Sequence, residues 1–304
     1  MAKKRKNKEP LPEGMSRRQA KLAARAAERA ALTPEARPYE GLAMEADLVA
    51  LQEFVPSAVA ELKVEGLDEP VNLCTVLPGA VAALVRAEAH GAGRYVALQV
   101  QHRTHNPGKD LAFALNWVKD AAPGATLTST ASDGSQPKIT DLIAADQTLS
   151  PVEHQDFNWW LPENADINAQ IDQGLKRAND SIVPSHHVEA DVNGVCWWVD
   201  AGDKAHIRWI RTDDEDKLLT ALARIAAKGE LNLGEDTKFA GVFRTHGIIV
   251  PVFDLDRTTP WDSYGEKLAA LDKVITEEIG NDAQLTADER KQLDNIKSRQ
   301  VTIR

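Results

Sequence analysis

Apolar positions recur along this chain at two periods, and the two periods divide it into short helices and short strands. In EADLVALQEFV (45–55), Leu48, Leu51 and Val55 fall at helical spacing and predict a helix. SAVAELKV and PVNLCTVL read as strands, and RYVALQVQ (94–101) as a buried strand. Between them AVAALVRAEAH fits either period, and its alanine content leans to helix. Asn106 and Pro107 supply a cap and a first-turn proline for a helix that carries LAFALNWVKD and stops near Pro123 and Gly124. The polar, turn-rich ATLTSTASDGSQPK has the composition of an insertion. LIAAD and VEHQDFNWWL are strand candidates, and NADINAQIDQGLKRAND (164–180) closes the half as a helix.

The second half repeats the order. HHVEADV, GVCWWVD and AHIRWIR are three strands joined at NG and AGD turns. A helix starts in the acidic run Asp213 to Asp216 and carries Leu218, Leu222 and Ile225. KFAGVF and IIVPVFDL flank Thr245-His246-Gly247 as two more strands, and Thr259-Pro260 opens a helix with Leu268, Leu271 and Ile275. Arg103-Thr104 precedes LAFAL as Arg211-Thr212 precedes LLTAL. The expectation is an α+β protein of two tandem α-β-β-β-α-β-β-α modules, 39–180 and 181–280. A basic arm (1–38) precedes them, and a helical extension (281–304) with Thr286 and Glu289 as a capping box follows.

Charge separates the arm from the body. Of 304 residues, the first 38 hold 11 Lys/Arg and 4 Asp/Glu, while the rest hold 25 and 42, a balance of −17. Lys3, Lys4, Arg5, Lys6 and Lys8 sit in a stretch with no apolar period, which reads as disordered. SRRQAKLAARAAERAAL follows as a helix, with Ser16 and Gln19 as its capping box. Arg18, Lys21, Arg25 and Arg29 recur at steps of three and four and line one face. Lys3, Lys4, Arg5, Lys6, Arg18, Lys21, Arg25 and Arg29 are therefore candidate contacts to RNA, DNA or the ribosome through phosphate, without base selection. The alternative is that the arm folds back on its own acidic body.

Seven tryptophans are present, four of them in the pairs Trp159-Trp160 and Trp197-Trp198. Neighbours in a strand point to opposite faces, so one ring of each pair can enter its own core. Two modules packed on each other would bury a second ring between them. Otherwise Trp159, Trp160, Trp197 and Trp198 offer a face to a protein partner.

AHIRWIRTDDEDKLLTALARI followed by FAGVFRTHGIIVPVFDL resembles the element pattern of type III secretion chaperones and of the bacterial sensory transduction regulators that share their fold. That resemblance implies a protein-binding fold, usually dimeric, with no cofactor. Separately, RPYEGLAMEADLVALQEFVP, NLCTVLPGAVAALVR and YVALQVQ resemble a bacterial family of unknown function over most of residues 37–280. Some of its members end in a cysteine-rich, zinc-binding tail of the translocase type, whereas this sequence ends SRQVTIR.

Catalytic chemistry has little purchase on the sequence. Cys74 and Cys196 both lie in apolar runs and read as buried thiols of a reducing compartment. No apolar run reaches the ~18 residues that span a membrane, and MAKKRKNKEP has no apolar stretch behind its basic residues. The eight histidines show no HExxH spacing, and the acids at 213–216 suit a helix N-terminus better than a cation. No phosphate loop, dinucleotide loop or nucleophile elbow occurs. The expectation is a non-enzymatic cytosolic binding protein that holds a protein partner, without metal or cofactor, with RNA or ribosome contact through residues 1–38. Two alternatives stand beside it: a nucleic-acid-associated factor whose body only dimerises, and an enzyme with a site between the modules.

Overall fold

The computed structural model describes residues 18, 19, 22, 25, 33–130, 134, 136–161 and 167–303. Lys3, Lys4, Arg5, Lys6, Lys21 and Arg29 lie outside the described residues, as does Ser16 of the expected capping box. Arg18 and Arg25 are helical and exposed.

The first half runs α1 (Glu45–Glu53), β1 (Ala58–Leu62), β2 (Val71–Cys74), β3 (Ala83–Arg86), β4 (Gly93–Ala97), α2 (Pro107–Asp120), β5 (Thr126–Leu127), β6 (Val152–Glu153) and α3 (Ala169–Asp180). The second runs β7 (Ser185–Val188), β8 (Val195–Asp200), β9 (Ala205–Ile210), α4 (Glu215–Ala227), β10 (Lys238–Thr245), β11 (Ile248–Leu255), α5 (Gly265–Ile279), α6 (Ala287–Ser298) and β12 (Val301–Thr302). Each half carries a six-stranded mixed sheet, β5-β3-β4-β2-β1-β6 in sheet A and β12-β10-β11-β9-β8-β7 in sheet B. The α+β class expected from the sequence is what the chain adopts.

The repeat of element order does not extend through the first half. Within AVAALVR, Ala83–Arg86 form strand β3, paired residue by residue with β4 from Ala83 opposite Val96 to Arg86 opposite Gly93. Cross-strand pairing outweighs the helical tendency of its alanines. The first half therefore reads α-β-β-β-β-α-β-β-α, and its β2–β4 pair is parallel where β9–β11 is antiparallel. β5 and β6 stand at opposite edges of sheet A, whereas β10 and β11 form a hairpin. The halves share a sheet size but not one strand order.

Caps set the helix ends. Asn106 Oδ1 accepts from Lys109 N at 3.2 Å, Asp214 Oδ1 from Lys217 N at 3.0 Å, and Thr286 and Glu289 close a reciprocal box. Gly194, at φ 86°, turns the chain into β8 where a Cβ would lie 1.9 Å from the Ile210 carbonyl oxygen, so only glycine fits the NG turn. Gly247 turns the β10–β11 hairpin at φ 76°, where a Cβ would lie 2.3 Å from the Ala36 carbonyl oxygen.

Two cores hold the body, and one of them is built by both halves. Inward residues of sheet A (Ala60, Leu62, Leu73, Val96) pack with α1, with α2, and with Trp197, Ile210, Ile248 and Val250 of sheet B. α1 has no polar face to spare: Ala46, Leu48, Val49, Ala50 and Leu51 are all buried, because it is enclosed by both halves. The opposite face of sheet B (Trp198, Ile207, Trp209, Ile249, Phe253) packs on α4, α5 and Ile296 of α6. The C-terminal extension is thus part of the second core, and its last strand β12 adds to β10 in parallel.

Polar contacts also cross between the halves. His246 Nε2 lies 2.8 Å from Glu53 Oε1, which Arg103 also approaches at 3.1 Å. Burial alone would raise the Glu53 carboxyl; the His246 hydrogen bond and the His246 and Arg103 charges outweigh it and hold the group below the usual range. Arg37 bonds Glu45 at 2.6 Å and the Thr212 carbonyl at 2.7 Å. Glu153 meets His186 Nδ1 and His187 N, each at 2.7 Å, where the edges β6 and β7 come together.

Asp47, in the first turn of α1, gives a direct test of this enclosure. Burial pushes its carboxyl from 3.8 up to about 6. An acid whose folded value is raised favours folding below its unfolded value and loses that contribution as pH rises through the folded one. Asp47→Asn is therefore expected to stabilise the protein at pH 7–8 by about 2–3 kcal/mol. In thermal melts the gain should shrink below about pH 4, and a gain independent of pH would show that Asp47 is solvated.

Candidate partner-binding face

Strand alternation decides which side chains of sheet A reach solvent. Ala58, Ala60 and Leu62 of β1 are buried in the shared core, which turns Val59 and Glu61 outward. By the same parity β2 presents Asn72 and Cys74, β4 presents Tyr95 and Ala97, and β3 presents Leu84 and Arg86. Cys74, Leu77 and Ala97 form a small buried cluster on this side, capped by Tyr95, Trp159 and Trp160.

The first tryptophan pair does not lie in a strand. β6 ends at Glu153, and Asn158–Trp160 form a 3-10 turn. Hydrogen bonds draw the segment out of the sheet: Asp156 accepts from Asn158 N at 2.9 Å, Ser57 Oγ donates to the Asp156 carbonyl at 2.8 Å, and Asn179 accepts from Phe157 N at 2.8 Å. Trp159 Nε1 donates to Ser57 Oγ at 3.0 Å, and the His154 ring stacks on Trp159 with centroids 5.5 Å apart. Trp160 closes the cluster through Arg86. The guanidinium lies 4.2 Å from the Trp160 ring and 4.8 Å from Tyr95, and donates to the Trp160 carbonyl. Both rings remain half-buried.

Beside this cluster the outer face of sheet A opens into a groove of about 820 Å³. Val59, Glu61, Asn72 and Tyr95 form its floor, Trp159 closes one end, and residues 146–154 form a wall. Burial pushes the Cys74 thiol up to about 12, so it is no nucleophile at neutral pH.

The second pair behaves differently. Trp197 is 1% exposed within the shared core and Trp198 is 7% exposed in the core of sheet B. Both rings are buried on opposite faces, and neither is presented to a partner. Of the four candidate tryptophans, only Trp159 and Trp160 reach the surface that holds the groove.

Acids elsewhere in the body have local partners. In the run 213–216, Asp213 accepts from Arg211 at 2.6 Å and Glu215 from Arg244 at 2.7 Å; farther along, Asp254 accepts from Lys204 at 2.7 Å and Asp256 from Thr258 N at 2.8 Å. Among the described residues no group of three or more His, Cys, Asp or Glu converges as metal ligands, and no helix is long and apolar enough to cross a membrane. Sequence reasoning passed over Glu61, Lys63, Asn72, Tyr95, Arg86 and Asp146. The available signal was SAVAELKV, where Glu61 and Lys63 mark a polar side of the strand.

Fold and site together define an α+β protein with one sheet covered on both faces and a second sheet left open on one. The chain belongs to DUF5926, a family of unknown function, whose model matches residues 38–304. This agrees with the family likeness read from residues 37–280 and carries it to the C-terminal strand. No curated protein and no solved structure matches the chain.

Proposed function

We propose that this protein is a cytoplasmic binding protein that holds a segment of a partner protein on the outer face of sheet A. The observation that carries the reading is the difference between the sheets. Sheet B has a large core on both faces, whereas sheet A has one on a single face and, on the other, only a small cluster under Tyr95, Trp159 and Trp160 beside a groove of about 820 Å³. Aromatic rings at the end of such a groove suit protein recognition, since Trp and Tyr are enriched where binding energy concentrates. Where Tyr39, Gln52, Arg103 and Asp110 converge, near the junction of the halves, the cavity is about 10 Å³, at most one water. A site for a substrate there has little support.

The order β7-β8-β9-α4-β10-β11-α5 is the meander, helix, hairpin and helix of the secretion-chaperone pattern, and it supports the binding reading for the second half. The tandem form of that likeness has no such support from the strand order of the first half. Two buried free cysteines suit a reducing compartment. Arg18 and Arg25, exposed and two helical turns apart, stand on one face and favour phosphate contact by the arm, to RNA or the ribosome.

The test uses the full chain. Thr148 is exposed on the groove wall, so Thr148→Arg fills the groove without touching a core. A partner that copurifies with the wild type should be recovered about tenfold less with this variant, as expected when a binding pocket is blocked, while the melting midpoint stays unchanged. Undiminished recovery would place the partner elsewhere.

A further inference from the structure

α3 carries no buried residue, whereas α1, α2, α4, α5 and α6 each bury at least one. Its 12 residues are nonetheless amphipathic. Ile171, Leu175 and Ala178 stand at i, i+4 and i+7 and share one side of the helix, with Gly174 beside them. Ile171 is 43% exposed, and Ile167, just before the cap at Asn168, is 50% exposed. Leu175 and Ala178 are half-buried, where Asn179 ties the C-terminal end to Phe157 and Asn158. A helix this short is marginal in water without tertiary packing, and α3 leaves much of the side that packs in solvent. Gly174, at its middle, weakens it further. A Cβ there would meet nothing within 4 Å, so no contact inside the body calls for glycine.

We infer that this side of α3 docks against α3 of a second copy of the chain, antiparallel, about a two-fold axis at Gly174. The helix is self-complementary about that point. Asp172 and Lys176 each lie two residues from Gly174 and stand on the same flank of the apolar side. Like flanks meet in an antiparallel pair, so Asp172 of each copy faces Lys176 of the other, and the pair forms twice. Ile171 comes level with the space between Gly174 and Ala178 of the second copy, beside its Leu175, and the two apolar sides interlock. Gly174 opposite Gly174 lets the backbones approach closely where the helices cross. The body beyond residue 38 has a balance of −17 and repels its own copy, whereas α3 sets Asp172 and Asp180 against Lys176 and Arg177 and is locally neutral. A helix about 18 Å long gives a contact below the roughly 1,000 Å² of a stable interface, so the dimer is weak, with a Kd on the order of 10–100 µM. The inference is independent of the groove and of the proposed function.

Sedimentation equilibrium of the full chain from about 1 to 500 µM spans that Kd, and the mass is expected to rise from monomer towards dimer across the range. Gly174→Gln sets a long side chain on the axis, where the body leaves space for it. It should weaken association at least about tenfold, while the melting midpoint at about 1 µM does not fall. Asp172→Lys and Lys176→Asp should each weaken association about fivefold by setting like charges opposite one another, and Asp172→Lys/Lys176→Asp should restore it. A chain that stays monomeric at about 500 µM, a dimer that Gly174→Gln leaves undiminished, or a double variant that associates no better than the single ones would overturn the inference.

Discussion

Replacing Arg211 by alanine is expected to cost about 3–5 kcal/mol of folding free energy, among the largest losses any single substitution in this chain would cause. Arg211 is 0% exposed. Its Nε donates to Asp213 Oδ2 at 2.6 Å, its Nη1 to Asp272 of α5, and its guanidinium lies 4.5 Å from the Trp209 ring. One buried cation thus fastens the end of β9 and the start of α4 to α5. Removing it leaves two partly buried carboxylates facing each other with nothing between them, and the lost attraction becomes repulsion. Arg211→Lys keeps the charge but not the fork, so it should recover only part of the loss. Urea denaturation measures both variants. A loss under about 1 kcal/mol for Arg211→Ala, the range of exposed ion pairs, would mean that this cluster is solvated.

Trp197→Ala is expected to destabilise by a similar about 3–5 kcal/mol, for a different reason. The ring is a large fully buried side chain, and it leaves sheet B to pack among residues of the first half. Among the described residues its indole N–H has no hydrogen-bond partner, so the site is held by area and packing rather than by polar contact. Truncation opens a cavity between the halves. In calorimetry the midpoint should fall by on the order of 10 °C, and the single transition should broaden or split as the halves come apart. Trp159→Ala, at a half-buried surface ring, should cost distinctly less. Equal losses for the two would mean that the shared core does not join the halves.

How much of this was legible in the sequence depended on whether local pattern and tertiary pairing agreed. They agree across sheet B. The apolar run VCWWVD, the alternation in AHIRWI, the glycine turn at Gly194 and the acidic run that opens α4 mark elements that form as read, as do the caps at Asn106 and Thr286 outside the sheet. They disagree at Ala83–Arg86, where partners in β4, about ten residues away, convert an alanine-rich stretch to strand. They disagree again at Asn158–Trp160, where side-chain bonds from Ser57, Asp156 and Asn179 turn the backbone out of the sheet. The tryptophan doublets look alike in sequence, yet one spans two cores and the other lies in a surface turn. Only the neighbours distinguish them. The groove was the least legible feature, because Glu61, Asn72, Tyr95, Asp146 and Trp159 come from separate segments and each is ordinary in its own.

The most direct measurement on the binding face is site-specific photo-crosslinking in cells. A photo-reactive residue placed at Asn72, on the groove floor, should join the protein to one discrete partner through one mapped segment. The same residue at Glu266, exposed on α5 against the opposite face of sheet B, should yield no such product. Capture of the same partner with equal yield at Glu266, or capture at Glu266 with none at Asn72, would contradict the assignment of the open face of sheet A as the binding site.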